Sequence, residues 1–325
     1  MASMAHHIKT LLIENFKSIK HLELRDCATI NIFVGKPNVG KSSILEALSL
    51  LGNHAGERFF SDLVHYESLT NLFYDQEIQA RVIEIYTNVG SCKLKYDPKA
   101  NSFEYNRQTD GDNLFGTAVT NDTKYIAWLD STIPVHRYEY RRLLKHDNPF
   151  PAYLKPPFGD NLVSILQTHA DIRTLVSPLF EQYGVELVMD VSERVLKIQR
   201  RKDGLAYSLP YSLVADTLQR MILFMAAMYS NKGAVLLFEE PEAHAFPPYI
   251  KMLADHIALD DDNQYFLTTH SPYLLQTLAR ETEANVAVFV VDIVEHETVA
   301  RRIEGEHLQR LIDEGSSVFF NLERL

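Results

Sequence analysis

The stretch Thr29–Val34 is a short β-branched run that ends in Gly35, and a helical pattern takes over from Ser42 to Leu51. Between them stands Gly35-Lys36-Pro37-Asn38-Val39-Gly40-Lys41-Ser42, followed by Ser43. The order strand, glycine-rich turn, helix admits few folds, because the turn must bring a strand end and a helix start together within a handful of residues. Glycines let the backbone curl so that successive N–H groups and the positive helix end face one point, where an anion is stabilised. In that setting Lys41 reaches the β and γ groups of a bound triphosphate and the Ser42 hydroxyl ligates Mg²⁺. The plain alternative is a tight strand-to-helix turn with no ligand.

Two further elements carry chemistry. Val235-Leu-Leu-Phe238-Glu239-Glu240-Pro241-Glu242 reads as a buried parallel strand whose carboxylates emerge at its carboxyl end, where open α/β sheets place ligands. Glu239 is expected to bind Mg²⁺, directly or through water, and Glu240 to orient or deprotonate an attacking water. Thr268-Thr269-His270-Ser271-Pro272 again follows a strand, and His270 there can donate a hydrogen bond to a γ-phosphate. Acids and single histidines at strand ends are commonplace; the phosphate loop gives these two their weight.

The rest of the chain reads as α/β. IKTLLIENF and KHLEL are strands, and residues 53 to 106 lead into alternating strands such as IQARVIEIYT and SCKLKYD, an antiparallel layer. The Tyr-, Arg- and Pro-rich stretch from Pro134 to Pro157 reads as a connecting or partner-facing segment rather than a core element. Helices are expected over Asn161–Gln182, then two strands, VELVMDV and RVLKIQR. The last third alternates helix and strand from Val214 to Val291, the mark of a mainly parallel sheet flanked by helices. One domain over 1–325 is expected: the phosphate loop and antiparallel layer in 1–99, an irregular insertion in 100–158, and the second half in 159–325.

Composition narrows the function classes. With 46% hydrophobic and 23% charged residues the chain can bury one large core or two smaller ones. No apolar run approaches the roughly 20 residues that cross a bilayer, and Met1–Lys9 lacks the order of a signal peptide, so no membrane partner and a cytosolic location are expected. Cys27 and Cys92 have no metal or disulfide spacing and read as inert core thiols. A formal charge of −11 works against non-specific DNA coating. Local basic strips remain: Arg137, Arg141, Arg142 and Lys145, then Arg200, Arg201 and Lys202. Runs of this size are usually solvated faces.

Taken together, GKPNVGKS between strand and helix, LLFEEPEAH and TTHSP resemble the ABC-type ATPase heads of the SMC, RecF and OLD (overcoming lysogenization defect) families. The opening IENFKSIKHLEL is similar to the first hairpin of those heads, and Gly159 to Leu162 to their Gly-x-Asn-Leu element. Glu-Glu-Pro-Glu, where most ABC proteins have aspartate, points to the OLD-like branch. The resemblance implies that two heads sandwich ATP and Mg²⁺, and that a signature segment of one contacts the γ-phosphate held by the other. The corresponding stretch here, Ser212-Leu-Val-Ala215-Asp216-Thr217, lacks both signature glycines. Ser212 or Thr217 with local N–H groups is expected to face nucleotide, while Ser212 or Asp216 could instead cap the helix. Gln76 and Gln79 are candidates for a site-lining glutamine.

The resemblance implies an ATPase that turns over slowly and dimerises around ATP. OLD proteins normally continue into a Toprim nuclease domain and SMC heads carry heptad arms; this chain is expected to have neither. It is therefore read as a subunit that senses or gates a separate effector, such as a Toprim-type nuclease, in bacterial anti-phage defence or genome maintenance. The alternatives are a RecF-like ATPase whose closed dimer clamps DNA, and a nucleotide-controlled scaffold with little turnover.

Overall fold

The computed structural model describes residues 7–52, 59–109, 112–114, 118–119, 133–281 and 285–314. The remaining parts of the expected 100–158 insertion lie outside the described residues. The chain divides into two compact units, one made of 1–137, 233–240 and 262–325, the other of 138–232 and 241–261.

In the first unit, β1 (Leu11–Phe16) and β2 (Ile19–Leu24) form a hairpin whose buried positions alternate with open ones, as a half-buried strand requires. β4 (Ile83–Thr87), β5 (Gly90–Asp97) and β6 (Ser102–Thr109) extend it in the order β2-β1-β4-β5-β6, with β7 (Asp112–Leu114) and β8 (Ala118–Val119) both pairing with β6. This is the antiparallel layer expected near the N-terminus.

A second sheet runs β16 (Glu297–Ile303), β15 (Val286–Val294), β3 (Ile30–Val34), β14 (Gln264–Thr268), β13 (Val235–Glu239), β9 (Val135–Tyr138). Its centre, β15, β3, β14 and β13, is parallel. All five residues of β3 and of β14 are buried, so these strands read as continuous runs rather than alternating ones. One apolar cluster, with Phe33, Leu45, Leu48, Ile85, Leu237 and Phe289 among its members, joins both sheets to α1 (Lys41–Ser49). Helices α2 (Phe59–Leu63), α8 (Pro272–Glu281) and α9 (Gly305–Glu314) complete this unit.

The second unit holds the three short helices α3 (Leu162–Thr168), α4 (Ala170–Val176) and α5 (Pro178–Glu181), where longer helical runs were expected. It continues with a three-stranded sheet of β10 (Glu186–Asp190), β11 (Val195–Lys202) and β12 (Leu205–Pro210), then α6 (Asp216–Ser230) and α7 (Pro247–Ala258). Among the described residues no helix is long and apolar enough to cross a membrane.

Five points depart from expectation. Val135–Tyr138 is not a connector: all four residues are buried in a strand of the parallel sheet. Its alternation is masked because both faces are covered, and His136 and Arg137 make it look polar. Arg137 therefore leaves the proposed basic strip, being 1% exposed. Strand β12 was not anticipated, nor was the antiparallel pair of β15 with β16. Finally, neither Ser212 nor Asp216 caps α6; Ala215 occupies that position and makes no side-chain cap. Cys92 lies in the core as expected while Cys27 is only partly buried, and burial pushes both thiols up to about 12.

Candidate functional site

The parallel register sets Glu239 beside Thr268 and Thr268 beside Phe33, so the carboxyl ends of β13, β14 and β3 lie side by side. Each of the three chemical motifs leaves one of these ends. Sequence-distant groups are thereby brought together within the first unit: the loop Gly35 to Ser43, the pair Glu239 and Glu240, and His270.

The loop is shaped from behind as well as by its own sequence. Gly40 has φ 97° and carries no side chain to cap α1, so the first N–H groups of the helix have no partner from its own turn. A Cβ on Gly40 would stand 2.3 Å from Thr298 Oγ1, and one on Gly35 2.3 Å from Val291 O. Thr298 Oγ1 donates to Val39 O at 3.0 Å and sits 2.8 Å from Ser18 Oγ. β15 and β16 thus brace the turn. Lys41 Nζ donates to Gly35 O at 3.0 Å and to Lys36 O at 2.7 Å, folding the ammonium over its own loop. Burial lowers the Lys41 pKa, and the nearby Glu240 and Glu239 carboxylates partly restore it.

Ser42 Oγ donates to Glu239 Oε1, while Arg137 Nη2 donates to Glu239 Oε2 at 2.7 Å. Arg137 also donates through Nη1 to Leu63 O. A fully buried guanidinium is stable only when paired, and Glu239 supplies that charge. No local pattern announces Arg137; an arginine inside a short buried strand was the sole trace, read above as surface. Glu240 stands at φ 41°, and its N–H reaches Thr268 O and Thr268 Oγ1 at 3.2 Å. This left-handed turn is sparsely populated for a non-glycine residue and directs the chain away immediately after Glu239. His270 Nε2 lies 3.3 Å from Glu240 Oε1. Burial and then Lys41 hold the His270 pKa down, against Glu240, so the ring is neutral at pH 7.

Ser42 and Glu239 offer a hydroxyl and a carboxylate at hydrogen-bond distance, an oxygen pair of the kind Mg²⁺ takes together with substrate phosphates. Among the described residues no group of three or more His, Cys, Asp or Glu side chains gathers as a metal cluster.

Ser212 and Thr217 belong to the second unit. Thr217 Oγ1 donates to His244 O at 2.7 Å. Asp216 accepts from Arg142 Nη2 at 2.6 Å and Tyr140 OH at 3.0 Å, and these contacts, Arg142 first, hold its carboxyl below the usual range. Arg141 lies over the Phe158 ring at 5.2 Å. Gln76 and Gln79 are exposed.

A parallel sheet whose adjacent strand ends carry a braced phosphate loop, two acids and a histidine is an α/β arrangement of the P-loop class. Family models agree. One described as "AAA ATPase domain" matches residues 7–148, and one described as "AAA domain, putative AbiEii toxin, Type IV TA system" matches residues 112–276, half of the chain. The chain belongs to this AAA-domain family. It is 54% identical over 107 residues to an uncharacterized protein of Methanocaldococcus jannaschii, covering 30% of this chain and 49% of the relative. It is 48% identical over 46 residues to the DNA replication and repair protein RecF of Nitrosococcus oceani, covering 14% of this chain and 13% of the relative. The chain thus spans half or less of the curated relatives it matches. The fold is similar to that of an Smc head bound to the C-winged helix domain of ScpA, with TM-score 0.53, 13% identity and coverage of 94% and 99%. An Smc head with an extended coiled coil, bound to the C-terminal domain of ScpA derived from Pyrococcus furiosus, gives TM-score 0.55, 11% identity and coverage of 95% and 99%. The architecture is that of an SMC head.

Proposed function

We propose that the chain is one ATPase head that closes as a dimer around ATP and Mg²⁺, hydrolyses slowly, and gates a separate effector. The convergence of Ser42, Glu239, Glu240, His270 and Lys41 at three adjacent strand ends carries this reading. Residues Gly35 to Ser43 hold the phosphates through backbone N–H groups, and Lys41 swings from its loop carbonyls to the β and γ oxygens. Ser42 and Glu239 hold Mg²⁺, which when bound offsets charge on the phosphates. Glu240 orients the attacking water and accepts its proton. His270, neutral and beside Glu240, donates to the γ-phosphate. Ser212 or Thr217 of the partner head completes the site.

The Glu-Glu-Pro-Glu sequence favours the OLD-like branch, and with it an effector such as a Toprim-type nuclease in anti-phage defence. The short RecF match favours a second reading, in which the closed dimer clamps DNA. Glu240→Gln tests the shared core: ATP binding is retained, turnover falls by about 10² or more, and light scattering finds a persistent ATP-dependent dimer. Unchanged turnover, or a monomer with and without ATP, refutes the scheme. DNA titration at two salt concentrations separates the readings, since only the clamp predicts ATP-dependent, salt-sensitive binding.

A further inference from the structure

All six residues of β12 are exposed, although it alternates large apolar side chains: Leu205 is 60%, Tyr207 53% and Leu209 48% exposed. Among the described residues no strand covers its outer edge. Exposed apolar edge strands invite pairing with another chain, and proteins that keep one without a partner blunt it. We propose that the outer edge of β12, with the cavity beside it, is a docking site for an extended acidic segment of a partner protein that carries apolar anchor side chains.

The turn sets which groups are on offer. Asp203 and Gly204 have φ 51° and 79°, the two positive values of a two-residue hairpin loop. The closing pair Lys202 and Leu205 then exchange both ladder bonds, as do Arg200 with Tyr207 and Ile198 with Leu209. Ala206 and Ser208 consequently turn their N–H and C=O groups outward. Pro210, at the next outward position, has no N–H and ends the row, which fixes where an added strand must stop.

Side chains alternate to match. On one side, against Ser208, Leu209 and Pro210, lies a cavity of about 440 Å³, whose lining also includes Leu143, Leu144, Leu196 and Tyr211. Leu144 at its margin is 77% exposed. Tyr211 is 6% exposed, and its hydroxyl has no hydrogen-bond partner among the described residues. Burial raises its pKa, so the hydroxyl stays protonated. Arg200 and Lys202 are exposed, and their side chains are long enough to reach across β12 towards carboxylates on an added strand.

Charge selects the occupant. The chain carries −11 overall, yet Arg200 and Lys202 share one face of this hairpin, with Asp203 in its turn and Arg201 on the other face 3.7 Å from Glu186, which favours an acidic segment along the Arg200 and Lys202 face. Pairing two copies of β12 would bring two such basic clusters together. Nucleic acid would leave both the outward backbone row and the apolar cavity unused. Ser212 also lines the cavity, so an occupant touches the turn that leads into α6. The site does not depend on the nucleotide roles proposed above, and its test requires no turnover.

The probe is a fluorescent, capped peptide alternating aspartate with leucine, titrated by anisotropy against the full chain. We expect saturable binding, slowed hydrogen exchange at Ala206 and Ser208, and no binding by the same peptide with N-methylated backbone. Arg200→Glu with Lys202→Glu should weaken it about tenfold or more. Ser208→Pro should abolish it without lowering the melting temperature, because that N–H faces away from β11. The proposal is overturned if the aspartate peptide does not bind, if a lysine-for-aspartate peptide binds as well, or if protection falls elsewhere. Displacement by a single-stranded oligonucleotide would instead identify a nucleic-acid face, and a dimer lost in Ser208→Pro a self-pairing edge; either result replaces the proposal.

Discussion

The phosphate loop and the stretch entering α6 are both strand-to-helix or turn-to-helix junctions, yet they are held in opposite ways. At the loop, Gly35 and Gly40 are crowded from behind by Val291 and Thr298, and in front Lys41 and Ser42 each have a bonded neighbour. At α6 there is no glycine, Ala215 leaves the helix start uncapped, and Asp216 is drawn to Tyr140 and Arg142. The glycines of the first junction are thus required by packing as well as by any ligand. The second junction keeps spare capacity, since nothing there depends on close backbone approach within its own unit.

The sharpest way to break this contrast is Lys41→Ala. Removing a charge-assisted contact to phosphate should weaken ATP binding by roughly a hundredfold, read by calorimetry. The melting temperature should hold or rise, because burial disfavours the Lys41 cation. Affinity within about twofold of the parent would remove the loop from the nucleotide site.

Next in size is an asymmetry between the partners of one ion pair. Glu239→Ala removes the carboxylate that Arg137, which is 1% exposed, donates to, and should cost about 3 kcal/mol in urea unfolding. Arg137→Met strands only the carboxylate, whose side chain is 23% exposed and still receives Ser42 Oγ, and should cost clearly less. Equal costs would mean that the guanidinium is not the buried charge that this corner is built to hold.

Acid should weaken the first unit in two steps. The folded His270 pKa lies below 6.5, so the unfolded chain binds the proton first and stability falls as pH drops below that value. For Glu46, burial raises the carboxyl pKa, but the hydrogen bond from His65 and the charge of Lys17 outweigh it, leaving it below 4.5. Its contribution is present above 4.5 and is lost as pH falls through the folded value. Urea midpoints against pH should show His270→Gln reducing the first loss and Glu46→Gln the second. Unchanged profiles would sink both assignments.

The smallest effect lies at the second junction. Ala215→Ser gives α6 the cap it lacks and should add about 0.5–1 kcal/mol, with ATP binding unchanged. A destabilised variant would show that this junction is as tightly specified as the first.

Sequence alone determined what depends on local pattern. The β-branched run before Gly35, the apolar strand before Glu239 and the Thr-Thr-His-Ser-Pro turn each declare a strand end through residues only a few places apart. Their alternation with helices then implies a parallel sheet whose carboxyl ends share one side. Tertiary structure decided the rest because the relevant partners are far apart in the chain. Arg137 finds Glu239 102 positions away, and Thr298 finds Val39 259 positions away, with no periodicity to announce either. Val135–Tyr138 joins the core because both of its faces are covered, a fact of packing that composition hides. Asp216 turns aside because Tyr140 and Arg142, reached only through the fold, offer it hydrogen bonds that its own helix start does not use.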